Sequence, residues 1–333
     1  MIQIEKDRIK LLFEAMRKRA VMVIGDVMLD RYLWGKVSRI SPEAPVPVIE
    51  IESESLQFGG AANVTHNVAS LGAAVVPVGV VGDDASGRTL KRLYEERGFS
   101  TKGLIEDKER PTTVKTRIMA HSQHVARTDR EVRSGISKQL QEQILGFVES
   151  HMDGVDAVIL EDYNKGMLVP HLIEAVVASA NSKRKIVLVD PKFDHFFCYR
   201  HVTLFKPNRK ETADILGIRL DTNEALEKAG QKLLEKLECR AVLITLGEEG
   251  MMLMEEGGPF AKVPTQAQHI HDVSGAGDTV IATMAVAMAA GANVREAAVF
   301  ANHAAGLVCG EVGAVPVDRD RLMELLLKRC GYE

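Results

Sequence analysis

Between His271 and Val280 the chain reads His-Asp-Val-Ser-Gly-Ala-Gly-Asp-Thr-Val and runs straight into a small-residue helix, Ile281 to Ala290. Gly275 and Gly277 flank Ala276 and let the backbone turn with no Cβ in the way, so successive N–H groups converge at the helix start. Those amides and the positive end of the helix dipole make a cradle for a phosphate, or for the charge that spreads over a phosphoryl group during transfer. Asp278 would repel a bound phosphate, so its carboxylate has a use there only as a proton acceptor. Cradle and acid together point to phosphoryl transfer to a hydroxyl. The alternative is that Asp278 merely caps the helix.

Other stretches carry weaker signals. Gly59-Gly60-Ala61-Ala62-Asn63-Val64 precedes a helix; paired glycines permit close approach by a ligand, and Asn63 offers a donor and an acceptor to a hydroxyl. A tight turn with Asn63 exposed explains the same residues. Asn208 and Glu211, three apart, fit either a helix capping box or a hydrated Mg²⁺ site. Gly82 to Thr89 has the spacing of a P-loop, but Arg88 stands where the lysine is needed and Asp83 and Asp84 add negative charge, so a capped strand-to-helix turn is expected. His269 and His271 have no acidic ligand at metal spacing, and Met251-Met252-Leu253-Met254 reads as core or pocket wall.

The elements that must position these residues follow from the apolar pattern. Val21–Ile24, Val75–Val81, Val155–Leu160, Ile186–Val189 and Ala241–Leu246 are short, mostly β-branched runs separated by amphipathic segments. They predict buried parallel strands joined by helices, an α/β doubly wound sheet whose carboxyl edge gathers Asp26, Asp83, Glu161, Asp190 and Thr245. Two stretches alternate at period two instead, about 29–57 and 112–129, and predict a small antiparallel sheet acting as a lid on one domain spanning residues 1–333. Ile2 to Ala20 predicts an amphipathic helix. With 333 residues and a net charge of −4, the chain has no general attraction for nucleic acid or anionic membranes. No apolar run approaches the roughly 20 residues that cross a bilayer. Cys198, Cys239, Cys309 and Cys330 form no metal or disulfide spacing, so a reducing cytoplasm is expected.

Taken together, these motifs resemble the ribokinase-like (PfkB) carbohydrate kinases. Gly59 to Val64 is similar to the family's first signature, Asp272 to Thr279 to its second, and Asn208 to Glu211 to its NxxE element, although Val280 stands where the family usually has Phe. The resemblance implies that Asp278 is the base and that the Gly275, Ala276, Gly277 and Asp278 amides form the anion hole. It also implies that Asp30, Gly59, Gly60 and Asn63 hold the sugar, with Asn208 and Glu211 near Mg²⁺ through water and no direct protein ligand to the metal. Thr245 and Gly247 would lie near the ATP phosphates and Asn302 near the adenine. ATP and Mg²⁺ are the implied cofactors, with room for a monovalent cation, and a homodimer is expected.

Within the family, Gly25 to Tyr32, Ser41 to Val48 and Asp162-Tyr163-Asn164-Lys165-Gly166 are similar to the branch that phosphorylates the anomeric oxygen of a heptose 7-phosphate, ahead of ADP-heptose and lipopolysaccharide core synthesis. That branch is in places fused to a nucleotidyltransferase with an HxGH motif, which this sequence lacks, so a kinase alone or a kinase half is expected. A phosphorylated substrate demands basic side chains. Arg39, Lys115, Arg117 and Arg127 lie on or beside the lid, and Lys165 and Lys192 follow strands at the carboxyl edge, Lys165 placed toward the sugar and Lys192 toward the nucleotide. A kinase of another sugar or nucleoside, or a non-catalytic sensor, are the competing readings.

Overall fold

The structure is a computed structural model that describes residues 4–120, 123–265, 273–311 and 313–329. In chain order, α1 (Lys6–Met16) leads into β1 (Ala20–Gly25), β2 (Val27–Ile40), β3 (Pro47–Gly60), α2 (Ala61–Ser70), β4 (Ala74–Gly82), α3 (Ala85–Glu96) and β5 (Leu104–Asp107). Then come β6 (Val114–Ala120), β7 (Gln123–Arg130), α4 (Lys138–His151), β8 (Ala157–Glu161), α5 (Pro170–Ser182), β9 (Ile186–Asp190) and β10 (Leu204–Phe205). The chain continues through α6 (Arg209–Leu216), α7 (Asn223–Leu237), β11 (Ala241–Thr245), β12 (Met251–Glu255), β13 (Ala261–Val263), α8 (Ala276–Ala289), α9 (Val294–Val308) and α10 (Arg319–Arg329).

The large sheet runs β13-β12-β11-β10-β9-β8-β1-β4-β5, parallel from β11 to β5 and antiparallel at β12 and β13. All five predicted apolar runs are strands of it, buried on both faces as a covered parallel sheet requires. Period-two alternation divides their side chains between two cores. Val23, Ile159, Leu188 and Leu204 pack with α1, α2, α8 and α9, while Ile24, Leu160, Val189 and Phe205 pack with α4, α5 and α7. Helix α8 is apolar and small all round, and Thr279 to Ala289 are buried. Such a helix belongs inside a protein, and its alanines let it lie close to the sheet.

The second sheet has the order β3-β2-β6-β7. β2 pairs antiparallel with β3, and β6 with β7, as alternation predicts; β2 and β6, however, pair in parallel. Each leaves the carboxyl edge after a strand of the parallel sheet, β1 and β5, so both set out in the same direction. The Gly59-Gly60 pair also differs from a simple turn: it ends β3, and Gly60 adopts φ +55 as the N-cap of α2. Asp84 caps α3 by accepting from Gly87 N at 2.8 Å, as expected of the rejected P-loop stretch.

Candidate active site

Asp278 lies in the first turn of α8, but its carboxylate does not cap that helix. Gly275 is the N-cap, with no side-chain cap bond, and the Asp278 oxygens face across the site. Asn63 Nδ2 donates to Oδ2 at 2.8 Å and the Tyr163 hydroxyl donates to Oδ1 at 2.8 Å. Asp278 is 4% exposed. Burial, with Asp190 nearby, pushes its pKa up to about 6, against the opposing effect of the Asn63 and Tyr163 hydrogen bonds and of Lys206. A carboxylate so poised is ionised at neutral pH yet basic enough to take a proton. Of the two glycines, only Gly275 needs its lack of a side chain for conformation: it sits at φ +76, and a Cβ there would lie 2.7 Å from Asn63 Nδ2. Gly277 is ordinary helix, and a Cβ there would meet only Lys206 Nζ at 3.5 Å and Asp190 Oδ2 at 3.7 Å.

The sheet supplies the floor. Glu161 and Asp190 end adjacent parallel strands in register, and Lys206 follows β10 beside them. Alternation sets all three on the face carrying Ile159, Leu188 and Leu204, which is the face that α8 covers. Lys206 Nζ pairs with Asp190 Oδ2 at 2.7 Å, both buried. Glu161 is fully buried, and burial, reinforced by Asp190 and Asp278, drives its pKa well above the usual carboxylate range. Asp26 organises the loop that delivers Tyr163 by accepting from the backbone N–H of Tyr163, Lys165 and Met167 at 2.8, 3.0 and 3.3 Å. Asn164 stands there at φ +53, a left-handed conformation that Asn tolerates better than most side chains. Tyr163, Glu161, Asp190 and Lys206 were not among the residues singled out from sequence for the site. The apolar runs placed two of them at the carboxyl edge, but only the packing of α8 shows which edge residues meet Asp278.

The basic residues sort themselves by the second sheet. Cross-strand register matches Asp30 with Lys115, Tyr32 with Arg117, and Arg117 with Arg127, so these side chains share one face. Arg117 pairs with Asp30 Oδ2 at 3.1 Å and lies over the Tyr32 ring. Asp30 Oδ1 is buried without a hydrogen-bond partner, and a Cβ on Gly59 would come within 3.0 Å of it. Lys115 Nζ stands 5.4 Å from the Tyr163 ring centroid. Arg127, half exposed, pairs with Asp129. Lys165 is held by Glu131 at 2.8 Å. Arg39 is not brought in: it lies nine residues beyond Asp30 on the same strand, about 30 Å away along an extended chain.

On the other side of Asp278, Thr245, Gly247, Val273 and Gly277 link a polar hollow over Asp190, Lys192 and Lys206 to an apolar cleft reaching Met251, Val280 and Asn302. Asn302 donates to Pro264 O at 2.6 Å. Asn208 and Glu211 form the capping box of α6. The Glu211 carboxylate also takes Lys192, leaving lone pairs on both oxygens for water. His269, His271 and Asp272 lie outside the described residues.

A family model described as pfkB family carbohydrate kinase matches residues 18–320. The "Bifunctional protein HldE" of Wolinella succinogenes is 42% identical over 306 residues, 92% of this chain and 64% of that protein. The protein of the same name from Geobacter sulfurreducens is 41% identical over 313 residues, 94% of this chain and 64% of that protein. The chain thus spans somewhat less than two thirds of the length of these relatives. Among solved structures, Arabidopsis thaliana ribokinase complexed with ribose and ATP superposes with a TM-score of 0.73 at 21% identity, covering 92% of this chain and 98% of that one. Escherichia coli phosphofructokinase-2 in complex with potassium gives a TM-score of 0.76 at 17% identity, covering 94% and 99%.

Proposed function

The chain belongs to the pfkB family of carbohydrate kinases, phosphotransferases with an alcohol acceptor that use ATP, and from that premise we propose that its acceptor is the anomeric hydroxyl of a heptose 7-phosphate. The product would be the 1,7-bisphosphate that feeds ADP-heptose and lipopolysaccharide core synthesis. The observation that carries the reading is the buried carboxylate of Asp278, held by Asn63 and Tyr163 beside the Gly275 turn.

The sugar lies between the second sheet and α8. Asp30 Oδ1 accepts one of its hydroxyls, Gly59 and Gly60 allow the ring close to the backbone, and Asn63 holds Asp278 toward the anomeric oxygen. Asp278 takes the proton of that hydroxyl as the oxygen attacks. The amides of Gly275 to Asp278 and the α8 dipole receive the charge of the moving phosphoryl group. Lys192 and Lys206 line the hollow where the ATP phosphates lie, Thr245 and Gly247 form its rim, and Asn302 borders the adenine cleft. Asn208 and Glu211 would hold Mg²⁺ through water, and the ion would there supply charge neutralisation for the phosphates. Glu211 suits that outer position because its remaining lone pairs face no other donor in its capping box.

A phosphate on the substrate needs a cationic seat, and Lys115, Arg117 and Arg127 supply one on the face that carries Asp30. Lys165, bound to Glu131, stands at its margin. The second sheet acts as the lid that keeps water from the phosphoryl group. Its exposed Val37, Ile40, Ile51 and Val125 support a homodimer formed through that sheet. No described helix is long and apolar enough to cross a membrane, and the free thiols of Cys198 and Cys239 accord with a cytoplasmic kinase.

Asp278→Asn tests the reading. It keeps size and polarity but removes the proton acceptor, so turnover should fall by about 10²- to 10⁴-fold while calorimetric ATP binding is unchanged. Retention of most of the wild-type kcat would return Asp278 to a structural role.

A further inference from the structure

Asn63 presents an amide to Asp278, and an amide beside a base works only one way round. Its Nδ2 donates to Asp278 Oδ2 at 2.8 Å. Turned over, it would set Oδ1, an acceptor, against a carboxylate that has no proton to give. Once Asp278 has taken a proton the preference reverses, because a turned Asn63 would accept from the protonated carboxyl and hold the proton there. Whatever fixes the amide therefore bears on the base in the state after transfer.

What fixes it lies one helical turn away. Asn67 is wholly buried on the same face of α2. Its Nδ2 donates to Asn63 O at 3.0 Å and to Asn63 Oδ1 at 3.3 Å. Its Oδ1 accepts from Thr279 Oγ1 on α8 at 3.1 Å, and from the backbone N–H of Val317, on the segment leading into α10, at 3.0 Å. Both hydrogens and both lone pairs of the Asn67 amide are thereby used. The Val317 N–H can only donate, so the atom facing it must be the Asn67 oxygen, and the nitrogen must face Asn63. Asn63 then has to answer with its own oxygen, which leaves its nitrogen for Asp278. A backbone N–H thus sets the direction of the whole chain of bonds, from Val317 through Asn67 and Asn63 to the carboxylate.

We propose that Asn67 is a positioning residue for Asp278, locking the Asn63 amide with its donor toward the carboxyl in both protonation states, so that Asn63 favours release of the proton and not its retention. The inference rests on the reading of Asp278 as the base. The other polar groups around Asp278 are Tyr163, Glu161, Asp190 and Lys206, none of them a partner of Asn67 among the described residues. Asn67 acts on the base only through Asn63.

The test is kcat from pH 5 to 9 with ATP, Mg²⁺ and heptose 7-phosphate, for wild type, Asn67→Ala, Asn63→Ala and the double variant, with thermal melts alongside. Asn67→Ala should move the acid limb upward by about one pH unit, the size of a lost hydrogen bond to a charged group, and leave KM for ATP within about twofold. Asn63→Ala should move the limb at least as far, and the double variant no further than Asn63→Ala. Tm should fall in Asn67→Ala, since Val317 N–H loses its acceptor, but a purely structural loss would leave the limb in place. Asn67→Ser, whose short hydroxyl bonds back to the Asn63 carbonyl and not to its side chain, should show the same limb and serves if the alanine variant does not fold. A limb that stays with wild type in the Asn67 variants while Asn63→Ala moves it, a loss equal at every pH, or a double variant shifted beyond Asn63→Ala overturns the proposal and leaves Asn67 a structural pin. A limb unmoved by Asn63→Ala as well overturns the base reading with it, so the two failures are told apart.

Discussion

Tyr163 gives the sharpest handle on Asp278 as the proposed base. Its hydroxyl donates to Asp278 Oδ1 at 2.8 Å, and its ring is faced by Lys115 and Lys192 at 5.4 and 5.3 Å. Tyr163→Phe removes the donor and keeps the ring, so Asp190, Lys206 and Glu161 still face Asp278 as before. A hydrogen bond to a charged group is worth about 1.5–3 kcal/mol, and 1.36 kcal/mol corresponds to one pKa unit. Losing a bond that favours the carboxylate therefore raises the Asp278 pKa from about 6 to roughly 7–8. At pH 7 the ionised fraction falls from about nine tenths to between about one half and one tenth, so kcat at pH 7 should drop about 2- to 10-fold. The rate should recover toward the wild-type plateau near pH 9, since only the protonation state has changed. A coupled assay of kcat from pH 5 to 9 reads this directly. An acid limb that stays where wild type has it, or a loss that is equal at every pH, would refute the coupling between the phenol and the base.

Gly275→Val should abolish most turnover and lower Tm, since a β-branched residue cannot hold φ +76 cheaply and its Cβ would strike Asn63 Nδ2. Gly277→Ala, by contrast, should keep both within a few-fold, because its Cβ meets nothing closer than 3.5 Å; equal damage from the two would mean that the cradle is not built on Gly275. Arg117→Ala should cost about 1.5–3 kcal/mol in kcat/KM with a sugar phosphate, roughly 10- to 150-fold, and far less with the free sugar. The same ratio for both sugars would move the phosphate seat elsewhere.

Much of this arrangement was legible in the sequence because it is written in local pattern. The apolar runs name the central strands, since a strand buried on both faces has no polar alternation to obscure it. Gly275 and Asp278 stand out because their chemistry is unusual where they sit. The two-residue β10 was missed, as Leu204-Phe205 is too short to show a period and is a strand only because β9 and β11 flank it. The parallel pairing of β2 and β6 was missed because direction is set by the strands they leave, not by their own residues. Asn208 and Glu211 fit both a capping box and a metal neighbourhood in sequence; the structure makes the box and leaves the second role open to water. Glu161 was the hardest to read. As a residue it is an ordinary strand-end acid, and only burial against Asp190 and Asp278 makes it exceptional.

The proposed acceptor carries its own phosphate and attacks the γ-phosphorus of ATP through its anomeric oxygen. The direct measurement is phosphorus NMR of the purified chain with ATP, Mg²⁺ and either D-glycero-D-manno-heptose 7-phosphate or the free heptose. A new anomeric phosphate signal is expected, formed much faster from the phosphorylated sugar. Preference for the free heptose, or phosphate appearing at any other carbon, would contradict it and leave only a sugar kinase of another specificity.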